Sequence, residues 1–106
     1  MYNFTEKDWK LFRAKLPKWQ ENYIENLVMK YAGILSSKKM PSEKFWELEK
    51  LINKDKKCTG VAAVMSRSRM LENIISLISE KAISINDLSE FSDKLKNTVT
   101  PYLNYN

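Results

Sequence analysis

Apolar positions from Val61 to Ile78 crowd a helical wheel until only a narrow strip is left for water. At about 100° per residue, Val61, Ala63, Val64, Met65, Met70, Leu71, Ile74, Ile75, Leu77 and Ile78 sweep about two-thirds of the circumference, well beyond the stripe of a surface helix. The pattern predicts the central helix of a small bundle, reaching to about Glu80. Arg67 falls on its apolar side, between Ile74 and Ile78. Arg69 shares the polar strip with Asn73, Ser76 and Glu80, where a solvated role is expected. Ser68 and Ser79 lie on the apolar side, where small residues predict close approach of a neighbouring helix.

Four further helices follow from the same kind of reading. Thr5 and Asp8 make a variant capping box, and Trp9, Phe12 and Leu16 then share one face, so a first helix is expected from Glu6 to about Lys15, stopped by Pro17. Pro17 suits the first turn of a second helix, whose apolar arc is Trp19, Tyr23, Ile24, Leu27, Val28, Tyr31, Ile34 and Leu35. The segment from Ser36 to Ser42 has loop composition, and Ser42 caps a third helix ending near Asn53 with Phe45, Leu48, Leu51 and Ile52 as its buried stripe. Trp46 falls off that stripe. It stands where it can pack on Pro41 or Met40 as a hydrophobic staple, and tryptophan is also a common interface anchor. After the central helix, Ser84 and Asp87 form a capping box, with Ile83 facing Leu88 as a staple. The last helix should run to about Thr98 with Leu88, Phe91, Leu95 and Val99 inward. Pro101 is expected to end it, leaving residues 100–106 as a tail free to fray. Neither a period-two strand pattern nor an internal repeat occurs, so the expected fold is all-α: a single-domain bundle of about five helices over residues 1–106, with the 61–80 helix central.

Composition narrows the function classes. The chain has 106 residues, 43% of them hydrophobic and 29% charged, with two glycines and three prolines, which is enough for one core and too ordered for a disordered chain. The longest apolar run, Val61 to Met65, is far short of the roughly 20 residues that cross a bilayer. The opening Met1-Tyr2-Asn3-Phe4-Thr5-Glu6 lacks the basic-then-apolar order of a signal peptide. A lone Cys58 cannot form an internal disulfide, and together these features point to the cytoplasm. Without histidine and with one cysteine, the usual catalytic triads and zinc or haem ligand sets cannot be assembled, so neither an enzyme nor a cofactor is expected.

The net charge of +5 is unevenly spread: residues 1–57 hold thirteen Lys and Arg against eight Asp and Glu, and residues 58–106 hold five of each. If the helices alternate up and down, Lys15 and Lys18 at one junction and Lys54, Lys56 and Lys57 in a loop fall at the same end of the bundle. Such a pole would suit backbone-directed, salt-sensitive binding of nucleic acid. Lys56 and Lys57 also precede Cys58 and the start of the central helix, where free backbone N–H groups can hold an anion and where a thiolate would be stabilised. Arg67, if buried, needs a carboxylate, for which Glu47, Glu49 and Glu90 are the candidates, or else an anion or a partner's acidic side chain.

The segments Trp9-Lys10, Leu16-Pro17-Lys18-Trp19-Gln20, Pro41-Ser42-Glu43-Lys44-Phe45-Trp46-Glu47-Leu48-Glu49 and Asp87-Leu88-Ser89-Glu90-Phe91-Ser92 resemble a family of small uncharacterised all-helical Firmicutes proteins. Members are sometimes labelled as transporters, which sits poorly with a chain lacking any apolar stretch of spanning length. The resemblance implies a helical fold and carries over no functional residue. The function expected from the residues is a helical protein–protein interaction or regulatory module, presenting its wide apolar arcs to a protein partner or to a second copy in a homodimer. The alternative is an electrostatic nucleic-acid binder using the lysine-rich pole.

Overall fold

Thr5 begins the first helix as the sequence leads one to expect: its hydroxyl accepts the Asp8 N–H at 3.1 Å, and the Asp8 carboxylate accepts the Thr5 N–H at 2.9 Å. In the computed structural model, which describes residues 3–103, that helix does not stop at Pro17. It continues as α1, Glu6–Leu35, for 30 residues with Pro17 inside it. Phe12, Leu16 and Trp19 explain why. They straddle the proline on one face and are all buried, each contributing about 1.5–3 kcal/mol by leaving water, which together exceeds the ~3 kcal/mol that an interior proline costs. Pro17 itself is exposed, so the carbonyl it deprives of a partner lies on the side open to water.

A tight loop leads into α2, Pro41–Asp55, with proline at its first turn. The N-cap is Met40 rather than Ser42. The expected central helix then divides. Its beginning is a single turn, α3, Thr59–Ala62, and its main part is α4, Met70–Ser79. Between them the Val61 and Ala63 carbonyls accept the Gln20 side-chain amide at 3.4 and 3.1 Å, and the Val64 carbonyl accepts that of Asn73 at 3.2 Å, so groups that would extend a helix are satisfied from outside it. Val64 and Met65 are consequently exposed. Met70, Ile74 and Leu77 are fully buried, so the shorter α4 keeps its central place. It ends with Lys81 in the left-handed region at φ 63°, the Ala82 N–H reaching back to the Leu77 carbonyl at 2.8 Å.

The Ser84–Asp87 capping box forms, with the Ser84 N–H donating to Asp87 at 2.7 Å and Ile83 and Leu88 buried beside it. It opens only a 3₁₀ turn, Ile85–Leu88, instead of a long helix. The chain restarts at Ser92, whose hydroxyl accepts the Leu95 N–H at 3.2 Å and so caps α5, Asp93–Leu103. Pro101 lies inside α5 on an exposed position, so Thr100 to Leu103 are helical and not a frayed tail. Asn104, Tyr105 and Asn106 lie outside the described residues. No strand occurs among the described residues, and the fold is an all-α bundle.

One carboxylate joins the two ends of this arrangement. Asp8 is 1% exposed and accepts hydrogen bonds from the Ser92 N–H at 2.8 Å and the Ser92 hydroxyl at 2.5 Å, so the cap of α1 also holds the cap of α5. Burial pushes the Asp8 carboxyl upward, but the hydrogen bonds from Ser92 and Thr5 outweigh it and its pKa is lowered. The core, built from Phe4, Phe12, Leu16, Trp19, Met70, Ile74, Leu77, Ile83, Leu88, Phe91, Leu95 and Val99, takes nothing from α2. It therefore occupies one end. The molecule measures 54 × 28 × 20 Å with a radius of gyration of 16.5 Å, against about 13 Å for a compact chain of this size.

Pro17→Ala should raise stability by about 1–2 kcal/mol in urea unfolding, since it restores a helical hydrogen bond; a loss would mean the chain needs a break there. Asp8→Asn should cost about 2–3 kcal/mol at pH 7. Because the folded pKa of Asp8 is depressed, its stabilisation is present above the ordinary carboxylate value of about 4 and is lost as pH falls through the folded value, so the gap between wild type and variant should close under acid. A gap unchanged at low pH would contradict the charged tie.

Candidate interaction surface

The distal half of α1 is covered mainly by α2 and α3. The direction of α2 follows from its fasteners: Lys44 donates to the Leu35 carbonyl at 2.9 Å, whereas Asp55, a helix-length later, receives the Tyr31 hydroxyl at 2.6 Å and Lys30 at 3.0 Å. The two helices are thus antiparallel. The Tyr31 hydroxyl is pushed up to about 12 by burial and by its bond to Asp55. The Asp55 carboxyl is held low by the Tyr31 hydrogen bond, against the effect of burial and with help from Lys30.

At the inner end of the hairpin, Gly60 lies flat against Tyr23: a Cβ there would sit 2.4 Å from Tyr23 Cδ2 and 2.6 Å from Cγ. The Tyr23 hydroxyl is also pushed up to about 12, by burial first and then by Cys58. The backbone N–H groups at the start of α3, an anion site in the sequence reading, are occupied from within the chain. Glu80 accepts both, from Thr59 at 2.9 Å and Gly60 at 3.0 Å. Glu80 is therefore a clamp and not a member of a solvated strip. Nothing in the sequence signalled this, because the two segments are twenty residues apart and meet only in three dimensions.

Helical spacing determines what the hairpin shows to water. Ile24, Val28, Tyr31 and Leu35 on α1, and Pro41, Phe45, Leu48 and Ile52 on α2, each advance by four, three and four residues, so each set forms one stripe. The helices are joined where Tyr31 and Lys30 meet Asp55 and where Lys44 meets Leu35, and Leu27, Ile34, Leu48 and Leu51 are half-buried along that seam. Each stripe lies on the C-terminal-going side of its seam, and antiparallel helices bring those two sides to the same face of the hairpin. Val28 is 56% exposed, Leu35 53%, Phe45 61% and Ile52 41%. The opposite face is polar, with Asn22, Asn26 and Lys30 on α1 and Glu43, Glu47, Lys50 and Lys54 on α2. Phe45 and Ile52, expected to be buried, are thus uncovered. The sequence had identified an amphipathic helix correctly, but periodicity does not say whether a second layer exists to cover the stripe.

The remaining candidates are scattered. Arg67 stands in the non-helical stretch before α4, half exposed, and its Nη1 meets Glu6 at 2.8 and 2.5 Å with the guanidinium 5.8 Å from the Phe4 ring centre. That hydrogen bond holds the Glu6 carboxyl below its ordinary value. The carboxylates expected for Arg67 are engaged elsewhere: Glu47 with Lys39, Glu49 with the Asn53 amide and Glu90 with Lys15. Because α1 runs through Pro17, Lys15 and Lys18 lie midway along a helix and not at a junction. Lys18 lines a shallow cleft with Trp19, Asn22 and Asp87, while Lys54, Lys56 and Lys57 are exposed around the end of α2. Trp46 is 63% exposed and has Phe45 edge-on at 4.8 Å. Ser68 and Ser79 are both exposed, so neither marks a close helix approach. No helix among the described residues is long and apolar enough to cross a membrane.

Compared with protein-family models, with curated proteins and with solved structures, the chain matches none.

Gly60→Ala should destabilise the protein by about 1–3 kcal/mol, because the Tyr23 ring is struck near its attachment point and cannot simply swing aside. Measured in a Tyr23→Ala background, the same substitution should cost much less. An equal penalty in both backgrounds would separate Gly60 from Tyr23.

Proposed function

We propose that this protein is a small helical interaction module of the cytoplasm that binds a protein partner with the uncharged face of the α1–α2 hairpin. The supporting observation is that two apolar stripes with the same four-three-four spacing lie side by side on one face, with Val28, Leu35, Phe45 and Ile52 roughly half exposed, while the other face is polar. Scattered apolar side chains are ordinary on any surface, but a contiguous patch rimmed by polar residues is the usual mark of a docking site. The stripe spacing suits a helical partner, whose own apolar stripe would lie in the groove between α1 and α2. The single thiol and the lack of a histidine agree with a binding role in a reducing compartment. The likeness to the Firmicutes family adds no activity to this proposal.

Electrostatic binding of nucleic acid has less to support it. Lys15, Lys30 and Lys39 each face a carboxylate within the chain, which neutralises part of the basic surface such binding would use.

Val28→Glu and Phe45→Glu together should leave folding stability within about 1 kcal/mol, since both positions are exposed, and should abolish capture of a protein partner from lysate of the native cell. Met29→Glu, on a different side of α1, should leave capture intact. Capture that survives the double substitution would refute the assigned face.

A further inference from the structure

The occupant of the hairpin face can be argued further, resting on the reading of that face as a docking surface. We infer that it is a second copy of this chain, and that the two hairpins pack into a four-helix bundle about a two-fold axis.

Three observations lead there. First, the hairpin is a single layer: it contributes nothing beyond Trp19 to the core, and helices are stable in water chiefly when an apolar face is buried against a second layer. A second hairpin supplies that layer.

Second, the spacing is self-complementary. Ile24, Val28, Tyr31 and Leu35 advance by four, three and four, as do Pro41, Phe45, Leu48 and Ile52, which is the repeat by which antiparallel helices interdigitate in four-helix bundles. An isologous contact requires one surface to fit itself, and two stripes of the same spacing on adjacent antiparallel helices are compatible with that requirement. No charged residue interrupts either stripe, so the contact sets no like charges against each other at its centre.

Third, the size suits a weak, reversible association. α2 has 15 residues, hence is ~22 Å long, and two helices abreast are ~20 Å wide. The flat footprint is therefore ~440 Å² per copy, or ~900 Å² for the pair before side-chain relief adds to it, close to the ~1,000 Å² at which specific association begins. An interface of this size belongs with weak, transient associations, and Phe45 is its central aromatic anchor.

Sedimentation equilibrium of the full chain from about 1 to 500 µM tests the inference over the range where such an interface acts. The mass should climb from that of one chain to that of two, without larger species. Phe45→Glu and, as a milder change, Ile52→Ser should each keep the wild-type circular dichroism. Phe45→Glu should weaken association at least about 30-fold, the effect expected of a central aromatic anchor, and Ile52→Ser should weaken it less; Met29→Glu should leave it unchanged. A dimer indifferent to Phe45→Glu would overturn the proposal. So would a wild type that stays monomeric throughout. In that case capture of another protein, lost with Val28→Glu and Phe45→Glu, would leave the docking surface standing with a different occupant, whereas a monomer that captures nothing would remove both.

Discussion

The continuity of α1 through Pro17 is the constraint on which the rest depends. Thirty residues at ~1.5 Å each make a rod ~45 Å long, most of the 54 Å length of the molecule. The rod outruns the core that holds it. Its first half is buried by α4, the 3₁₀ turn and α5 through Phe12, Leu16 and Trp19; its second half is covered mainly by α2 and the single turn of α3. Had the helix broken at Pro17, Tyr23, Leu27 and Tyr31 could have turned back onto α4, and the chain would have been the rounded bundle that its pattern suggests. The exposed hairpin follows directly from the proline being overridden.

Buried or half-buried carboxylates do the fastening around that rod, and each does so by accepting hydrogen bonds from groups that secondary structure leaves over. Asp8 serves the caps of α1 and α5, Glu80 fills the start of α3, and Asp55 fastens the end of α2 to Tyr31 and Lys30. A charged acceptor binding backbone N–H groups is worth more than a neutral one, and the low pKa values of Asp8 and Asp55 reflect it. The same economy removes ligand sites: the α3 terminus that would attract an anion already holds Glu80.

How much of this could be read in the sequence depended on distance along the chain. The Thr5–Asp8 and Ser84–Asp87 boxes are legible because their partners are three residues apart, and α2 is legible from its amphipathic stripe, although it begins at Pro41 with Met40 as cap and not at a Ser42 cap. The apolar run from Val61 to Ile78 is central, as its pattern predicts, yet it is broken, because Gln20 and Asn73 capture its carbonyls across space. Pro17 and Pro101 were given their usual weight as helix stops, which tertiary packing overrode on solvent-facing positions. Periodicity places Arg67 on the core side of a helix; because residues 63–69 are not helical it pairs instead with Glu6, 61 positions away, which no local pattern anticipates. The interaction surface was half legible. Its stripes were visible in Ile24 to Leu35 and Phe45 to Ile52, but their exposure is a property of the whole fold.

Whether α1 is straight through Pro17 is decided by the distance between its ends. Spin labels on cysteines replacing the exposed Lys7 and Gly33, in a Cys58→Ser background diluted with unlabelled chain, report it by pulsed electron resonance. Twenty-six residues of continuous helix predict a single distance near ~39 Å. A distribution centred well below ~30 Å would show the helix folding back at Pro17 and would contradict the account.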